Sequence, residues 1–489
     1  MTPAGRLQAS IELLAAVLSD PRPADGVVSA FLRARRYMGA KDRRDVTERV
    51  WSILRSRERL DWHLQKFGLD PVQPRAFVLA HGVVCDGLTP STLATLCTGE
   101  RFAPAPLKPR EEDWLKALAG QALEHPDMPR AVRLECPSWL LPRLETALAH
   151  QGGPGDGQLD GTSDGTSEEP DQAKDPDAEI AALTLGMAPV DLRANLLKAT
   201  REQTTNLLTK EGISAEPGPL SPWALRLAER PHLAETKAFK EGFVEVQDAS
   251  SQVAALLCGV GPGLSVLDYC AGAGGKTLAL AAAMANKGAV WATDTDQGRL
   301  DRAKTRISRA GAHNVNRRLL GDAGTIKWLK RNRKRFDRVL VDAPCSGIGT
   351  WRRNPDAKRR LSPEDLHELS ALQASLLEKA ARQVKPGGGR LIYATCSVLR
   401  EENEGVLEPF LAANPDFAPL PVASIWSEVG GVGPAPTVDS SPYLRLTPAR
   451  HGTDGFFIGI LERAAAPQAA ALEATSAPAD PAADGAGSP

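Results

Sequence analysis

Two cysteines stand where covalent chemistry could be done. Cys345 follows an apolar run in Asp342-Ala343-Pro344-Cys345-Ser346-Gly347-Ile348-Gly349-Thr350, and Cys396 closes another in Tyr393-Ala394-Thr395-Cys396-Ser397. A cysteine is usually a buried, inert apolar group. As a thiolate it is instead a strong nucleophile, provided that its surroundings favour ionisation. Both thiols end strand-like runs, beside an aspartate and a glycine-rich loop. Inertness explains one such residue more easily than it explains the pair.

A third strand-like run leads into Leu267-Asp268-Tyr269-Cys270-Ala271-Gly272-Ala273-Gly274-Gly275-Lys276-Thr277, which reads as strand, glycine turn and helix start. Glycines let backbone approach a ligand with no Cβ in the way, and a helix N-terminus offers free N–H groups. Asp294 closes the next strand, at roughly the 20-residue distance where an acid meets ribose hydroxyls. A phosphate loop would need glycine where Cys270 stands, although the strand ending at Asp342 imitates a Walker B segment. A nicotinamide fingerprint would need glycine where Thr277 stands. S-adenosylmethionine fits better: its ribose diol suits Asp294, its adenine amine suits Asp322 in Gly321-Asp322-Ala323, and it has no phosphate. A lone strand-end aspartate is often a cap; Asp294, Asp322 and Asp342 at successive strand ends are harder to explain so.

The elements that must position these residues are legible between Asp248 and Arg463. Runs at 264–267, 289–293, 316–320, 338–341 and 390–394 alternate with helical stretches, which predicts a largely parallel sheet covered on both faces. One helix is well signalled: Ser362 caps it, Pro363 opens it, and Leu366, Leu369, Leu372 and Leu376 form its expected apolar stripe. Residues 6 to about 125 read as several packed helices, with Leu7, Ile11, Leu14 and Leu18, then Val46, Val50, Ile53 and Leu54, at helical spacing. Residues 189–245 mix strand and helix signals, including a strand over 190–195 and a helix entered at Thr200. The stretch 151–177 is Gly/Asp/Ser/Thr/Pro-rich and the end of the chain Ala/Pro-rich, so both are expected to be disordered.

With 489 residues the chain needs several cores. Its formal net charge of −1 does not advertise a polyanion partner. The basic residues are uneven, however, clustering at 299–309, 327–335 and 352–360. Two of these clusters flank the Cys345 loop, which suggests a phosphate backbone nearby. Seven scattered cysteines without a CxxC pair argue for a reducing cytoplasm and against zinc or a disulfide framework. The eight histidines form no metal constellation, and neither a signal peptide nor a membrane span is read.

In its motifs the chain resembles the RsmB/Sun (Fmu-type) RNA cytosine-5 methyltransferases. The matching strings are Val246-Gln247-Asp248-Ala249-Ser250-Ser251-Gln252, the glycine turn, 342–349, Thr395-Cys396-Ser397, Leu446-Thr447-Pro448 and His451-Gly452-Thr453-Asp454-Gly455-Phe456-Phe457. One departure is visible: the family's Cys-Ala-Ala-Pro-Gly-Gly-Lys-Thr reads Cys-Ala-Gly-Ala-Gly-Gly-Lys-Thr here. The resemblance implies a multidomain fold: a NusB-like helical RNA-binding domain (1–125), a ferredoxin-like α+β RNA-binding subdomain (126–245) interrupted by 151–177, a Rossmann-like methyltransferase domain (246–465), and a tail (466–489).

It also implies roles. Cys396 would add to carbon 6 of cytosine, Asp342 and Lys276 would contact the base, and Cys345 would assist loss of the carbon 5 proton or product release. In DNA cytosine methyltransferases the Pro-Cys thiol is itself the nucleophile, so exchanged roles stay open. S-adenosylmethionine would be held by Cys270, Ala271, Gly272, Ala273, Gly274, Gly275, Lys276, Asp294, Arg299, Asp322 and Asp342. Arg352 and Arg353 would meet the RNA backbone. The expected partner is small-subunit ribosomal RNA, with no membrane, metal or obligate protein partner. The alternatives are the same chemistry on transfer RNA, or a non-catalytic RNA-binding assembly factor.

Overall fold

The structure, a computed structural model, describes residues 1–149, 175–436 and 441–465. The tail and the segment 151–174 lie outside the described residues. The last residues of the expected insertion are structured. Asp175 accepts from the Asp177 N–H and caps the helix Pro176–Thr184, whose Ile180 and Leu183 are buried.

The front of the chain is a helical layer. Helices Pro3–Ser19, Pro74–Val84, Pro90–Leu96 and Pro109–Leu118 each carry proline in the first turn, where its missing N–H costs nothing. Leu7, Leu13, Leu14 and Val17 from the first helix pack with Val46, Val50, Ile53 and Leu54 from Ala40–Arg55. Ile11 and Leu18 are only partly buried, so the inward stripe is rotated slightly from the expected one. Each fully buried aliphatic contributes about 1.5–3 kcal/mol of transfer free energy.

Next comes a four-stranded antiparallel sheet of β1 (Val190–Ala194), β2 (Ala215–Pro217), β3 (Ala224–Leu227) and β4 (Val244–Val246), in the order β2-β3-β1-β4. The helix Arg201–Lys210 follows β1, entered at Thr200 through a reciprocal capping box with Gln203. A short helix, Lys237–Lys240, precedes β4. This β-α-β-β-α-β order is ferredoxin-like.

The large sheet contains β5 (Ser265–Asp268), β6 (Ala289–Asp294), β7 (Val315–Leu319), β8 (Arg338–Asp342), β9 (Gly389–Thr395), β10 (Phe417–Pro419), β11 (Leu444–Leu446) and β12 (Phe456–Arg463). Its order is β10-β12-β9-β8-β5-β6-β7, with β11 paired to β12. The five strands from β7 to β9 are parallel, and β12 returns antiparallel to β9. From β5 the chain moves to β6 on one side, and β8 later pairs on the other. That makes the carboxyl ends of β5 and β8 a topological switch point, where such sheets open a crevice for ligands.

The helix Pro363–Ala381 forms with the Ser362 cap as expected, but its buried face differs. Leu366, Gln373, Leu377 and Ala380 turn inward, while Leu369 and Leu376 are half-buried and Leu372 is 43% exposed. The reason lies in what these leucines face, which is the crevice itself.

Candidate active site

At the end of β5, Gly272 (φ +55°) and Gly274 (φ +83°) adopt the left-handed conformation, and the helix Gly275–Ala283 begins. A Cβ on Gly272 would meet nothing within 4 Å, so its backbone opens freely. Asp294, at the end of β6, clasps the turn: its carboxylate accepts from the Gly272 N–H at 2.8 Å and the Asp296 N–H at 2.8 Å.

The turn borders a cavity of about 420 Å³, within the size range of small-molecule sites. Of the residues expected at a cofactor, Cys270, Ala271, Gly272, Ala273, Gly275, Lys276, Asp294, Arg299 and Asp342 line it. Gly274 does not, and serves as the turn residue. Asp322 is a correction: it is exposed, lies outside the lining, and caps the helix Ala323–Arg331 by accepting from the Thr325 N–H at 3.0 Å. Leu372 and Leu376 supply an apolar wall instead. The donor set suits a neutral ribose and a sulfonium: an acid, a glycine cradle and an apolar wall, with no ring of cations for phosphate.

Both candidate thiols open on the same cavity, with Cys345 Sγ 3.3 Å from Cys396 Sγ. The hydrogen bond to Cys396, and then burial, hold the Cys345 thiol well above its ordinary value. Either sulfur can donate in this contact, and the upward shift marks Cys345 as a thiol that resists ionisation. Lys276 Nζ donates to Asp342 Oδ2 at 2.7 Å and sits 4.9 Å from the Phe456 ring centroid. Burial alone would lower the Lys276 ammonium, but the Asp342 carboxylate and the Cys396 sulfur raise it above the ordinary lysine value. A stable cation thus faces Cys396. Cys270, by contrast, is pushed up by burial and the surrounding aspartates, as befits an inert wall residue.

Three residues that the sequence reading passed over hold the thiols in register. Glu402 is fully buried and accepts from the Ser346 N–H (2.8 Å), the Ser346 hydroxyl (2.5 Å) and Gln373 Nε2 (3.0 Å). Gln373 also donates to the Pro344 carbonyl at 2.9 Å. Together they pin the loop on either side of Cys345. Asn403 accepts from Thr395 Oγ1 at 2.6 Å and donates to the Ser397 carbonyl at 3.1 Å, which brackets Cys396. The loops are stitched further where Gly349 N–H meets the Cys396 carbonyl at 3.0 Å. A Cβ on Gly349 would lie 1.9 Å from the Gly455 carbonyl, so only glycine fits there.

Replacing Glu402 by Ala leaves the Ser346 and Gln373 donors without their partner, at about 1–3 kcal/mol for each buried group. We expect Glu402→Ala to lower the melting temperature and Glu402→Gln to lower kcat about tenfold, with methyl-donor KM unchanged in both. Steady-state kinetics and thermal melting check this.

Arg352 and Arg353 are the second correction. Arg352 is 7% exposed, with Nε on Asp454 Oδ1 at 2.7 Å. Arg353 bonds to the same carboxylate and to Asp248 Oδ2 at 2.6 Å. They join the 246–252, 342–353 and 451–457 strings into one ion-pair network, with Arg352 buried and Arg353 partly exposed. Breaking either pair would strand a buried charge. In the 299–309 cluster, Arg306 and Arg309 are likewise bound, both to Glu245.

All seven cysteines are free. Among the described residues no group of three or more His, Cys, Asp or Glu is placed to hold a metal ion, and no helix is long and apolar enough to cross a membrane.

Residues 260–462 match the family model described as 16S rRNA methyltransferase RsmB/F, and residues 175–233 match the ferredoxin-like domain of RsmF/B-like methyltransferases. The chain is 37% identical over 268 residues to the probable ribosomal RNA small subunit methyltransferase B of Bacillus subtilis, covering 55% of this chain and 58% of that protein. It is 37% identical over 281 residues to ribosomal RNA small subunit methyltransferase B of Pasteurella multocida, covering 56% and 59%. The match therefore spans just under three fifths of these relatives' length. The crystal structure of PH0851 superposes with a TM-score of 0.72 over 95% of this chain and 99% of that one, at 27% identity.

Proposed function

The chain belongs to the RsmB/F methyltransferase family, and on that premise we propose that it methylates carbon 5 of a cytosine in small-subunit ribosomal RNA, with S-adenosylmethionine as donor and Cys396 as covalent nucleophile. The observation that carries this reading is the pair of sulfurs 3.3 Å apart on the cavity, with the Lys276–Asp342 pair beside them.

The residues divide the work as follows. Lys276 and the Cys345 thiol favour the thiolate of Cys396, which adds to carbon 6 of the cytosine. As the thiolate adds, ring N3 takes up a proton from solvent and becomes an N–H donor; the Asp342 carboxylate accepts from that N–H and from the exocyclic amine, which favours the protonated, neutral adduct. Carbon 5 becomes the nucleophilic end of an enamine, and S-adenosylmethionine, when bound, supplies the electrophilic methyl. Once Cys396 is a thioether, the interaction that keeps Cys345 protonated is gone. Cys345 then assists removal of the carbon 5 proton, and elimination restores the Cys396 thiolate. Asp294, Arg299 and the 270–275 turn hold the donor, and Leu372 and Leu376 exclude water. On this reading the helical front (1–125) and small α+β unit (126–245) present RNA to the methyltransferase domain (246–465), in the cytoplasm, where the thiols stay reduced.

The test is direct. Purified protein with methyl-labelled S-adenosylmethionine should label deproteinised small-subunit ribosomal RNA, and digestion should return the label as 5-methylcytosine. Label confined to transfer RNA would move the substrate, and none on any RNA would overturn the reading.

A further inference from the structure

Arg352 is buried and Arg353 is held by two carboxylates, which leaves Arg302, Lys304 and Arg359 as exposed cations of the 299–309 and 352–360 clusters, and an RNA strand running on from the cavity meets further basic surface beyond them. Lys358 and Arg360 are also engaged, with the Thr184 carbonyl and with Asp356. The 327–335 cluster leads into the start of β8, at the opposite end of the sheet from Asp342.

A different basic surface is open. The turn joining helix Ala24–Ala34 to helix Ala40–Arg55 carries Arg33, Arg36 and Lys41, all exposed and with no hydrogen bond or ion pair among the described residues. Arg44 pairs only with Glu48 one helical turn away, both mostly exposed, a contact worth little in water. Tyr37, between these cations, is 69% exposed. Opposite the turn stand Met187, 61% exposed, and the 228–232 loop after β3, with Glu229, His232 and Arg230, which is exposed and donates one bond to the Ala188 carbonyl at 2.5 Å. The two sides enclose a groove of about 1370 Å³.

Behind it, burial and the Arg230 guanidinium lower the nearby Arg55, whose Nε has no hydrogen-bond partner. Like charges face one another there, which leaves an attraction for an anion.

The groove is tied to the catalytic loop. Asp356, eleven residues past Cys345, accepts from the Ala24 N–H at 3.0 Å at the start of the helix whose far end forms the groove. That helix spans about 15 Å at 1.5 Å per residue.

We propose that this groove between the helical front and the ferredoxin-like sheet seats a single-stranded segment of the RNA flanking the target cytosine. Lys41, Arg44 and Arg230 of the lining contact phosphates, and exposed Arg36 and Tyr37, next in the chain to the lining residue Met38, engage the strand where it leaves the groove, Tyr37 by stacking on a base. The proposal rests on RNA being the substrate.

The probe is a labelled single-stranded RNA of about 20 nucleotides, long enough to cover a site of this kind, with its duplex as control. Lys41→Ala/Arg44→Ala should weaken single-strand binding at least tenfold and reduce the log–log salt slope by about 1.4, near 0.7 per lost phosphate contact. Tyr37→Ala should weaken binding about tenfold, as loss of one stacked base predicts, with the salt slope unchanged. In methylation of ribosomal RNA, both variants should raise KM and leave kcat unchanged. Wild-type methylation with unaltered KM and salt slope in the variants would overturn the groove, as would equal or tighter binding of the duplex. Variant-sensitive binding without methyl transfer by the wild type would instead overturn the enzymatic reading and leave the groove standing.

Discussion

Cys396→Ala should transfer no detectable methyl to RNA, a loss of about 10⁶-fold, the scale seen when a covalent nucleophile is removed. Carbon 5 of cytosine is too poor a nucleophile to take a methyl without addition at carbon 6, so no neighbouring group substitutes. The Cys345 sulfur is only 3.3 Å away, yet its contact with Cys396 and its burial hold that thiol well above its ordinary value. Cys396 is half-buried at the cavity wall, and the Asn403 bonds that bracket it use Thr395 Oγ1 and the Ser397 carbonyl, neither of which the substitution touches. Melting should therefore shift little, by about 1 kcal/mol or less. Donor binding should persist, because the glycine turn and Asp294 are untouched. A variant that keeps appreciable activity would show that Cys396 is not the nucleophile.

Asp342→Asn should lower kcat about 10²–10³-fold, the usual effect of removing one group aligned with developing charge. Asparagine keeps the shape but lacks the charge that favours protonation of ring N3 as the thiolate adds. It also leaves the buried Lys276 ammonium without its 2.7 Å partner. That cation then faces Cys396 alone, so alkylation of Cys396 by iodoacetamide should be preserved or faster while methylation collapses. Opposite movement of the two readouts separates a role in the reaction from damage to the fold. Parallel loss of both would assign Asp342 to maintaining the site rather than to the base.

Much of this was legible before any coordinates. The five parallel strands lie within a residue or two of the runs that announce them; β5, β6, β8 and β9 lie inside the sheet and read as largely apolar, whereas β7, at its edge, carries Asn316, Arg317 and Arg318. The thiols, the glycine turn and Asp342 follow directly from strand ends. What stayed hidden depends on partners remote in sequence. Arg352 and Arg353 read as a basic cluster, and only the fold brings Asp454, a hundred residues on, against them. Glu402 lies in Arg400-Glu401-Glu402-Asn403-Glu404, which reads as a solvated face, yet it is buried beneath the Cys345 loop. Asp322 shared the strand-end position of Asp294 and Asp342, but a helix starts at once behind it and takes its carboxylate as a cap. The leucine stripe at 366–376 had the right period and the wrong destination. Helical spacing identifies a face but not whether core or crevice receives it.

The central claim is that Cys396 attacks and Cys345 helps to release. Each single-cysteine variant, incubated with S-adenosylmethionine and end-labelled small-subunit ribosomal RNA, can be run on a denaturing gel. Cys345→Ala should accumulate a shifted, covalent RNA–protein band that protease destroys, and Cys396→Ala should give none. The reverse pattern, with the adduct in Cys396→Ala and not in Cys345→Ala, would contradict the account and exchange the roles of the two thiols.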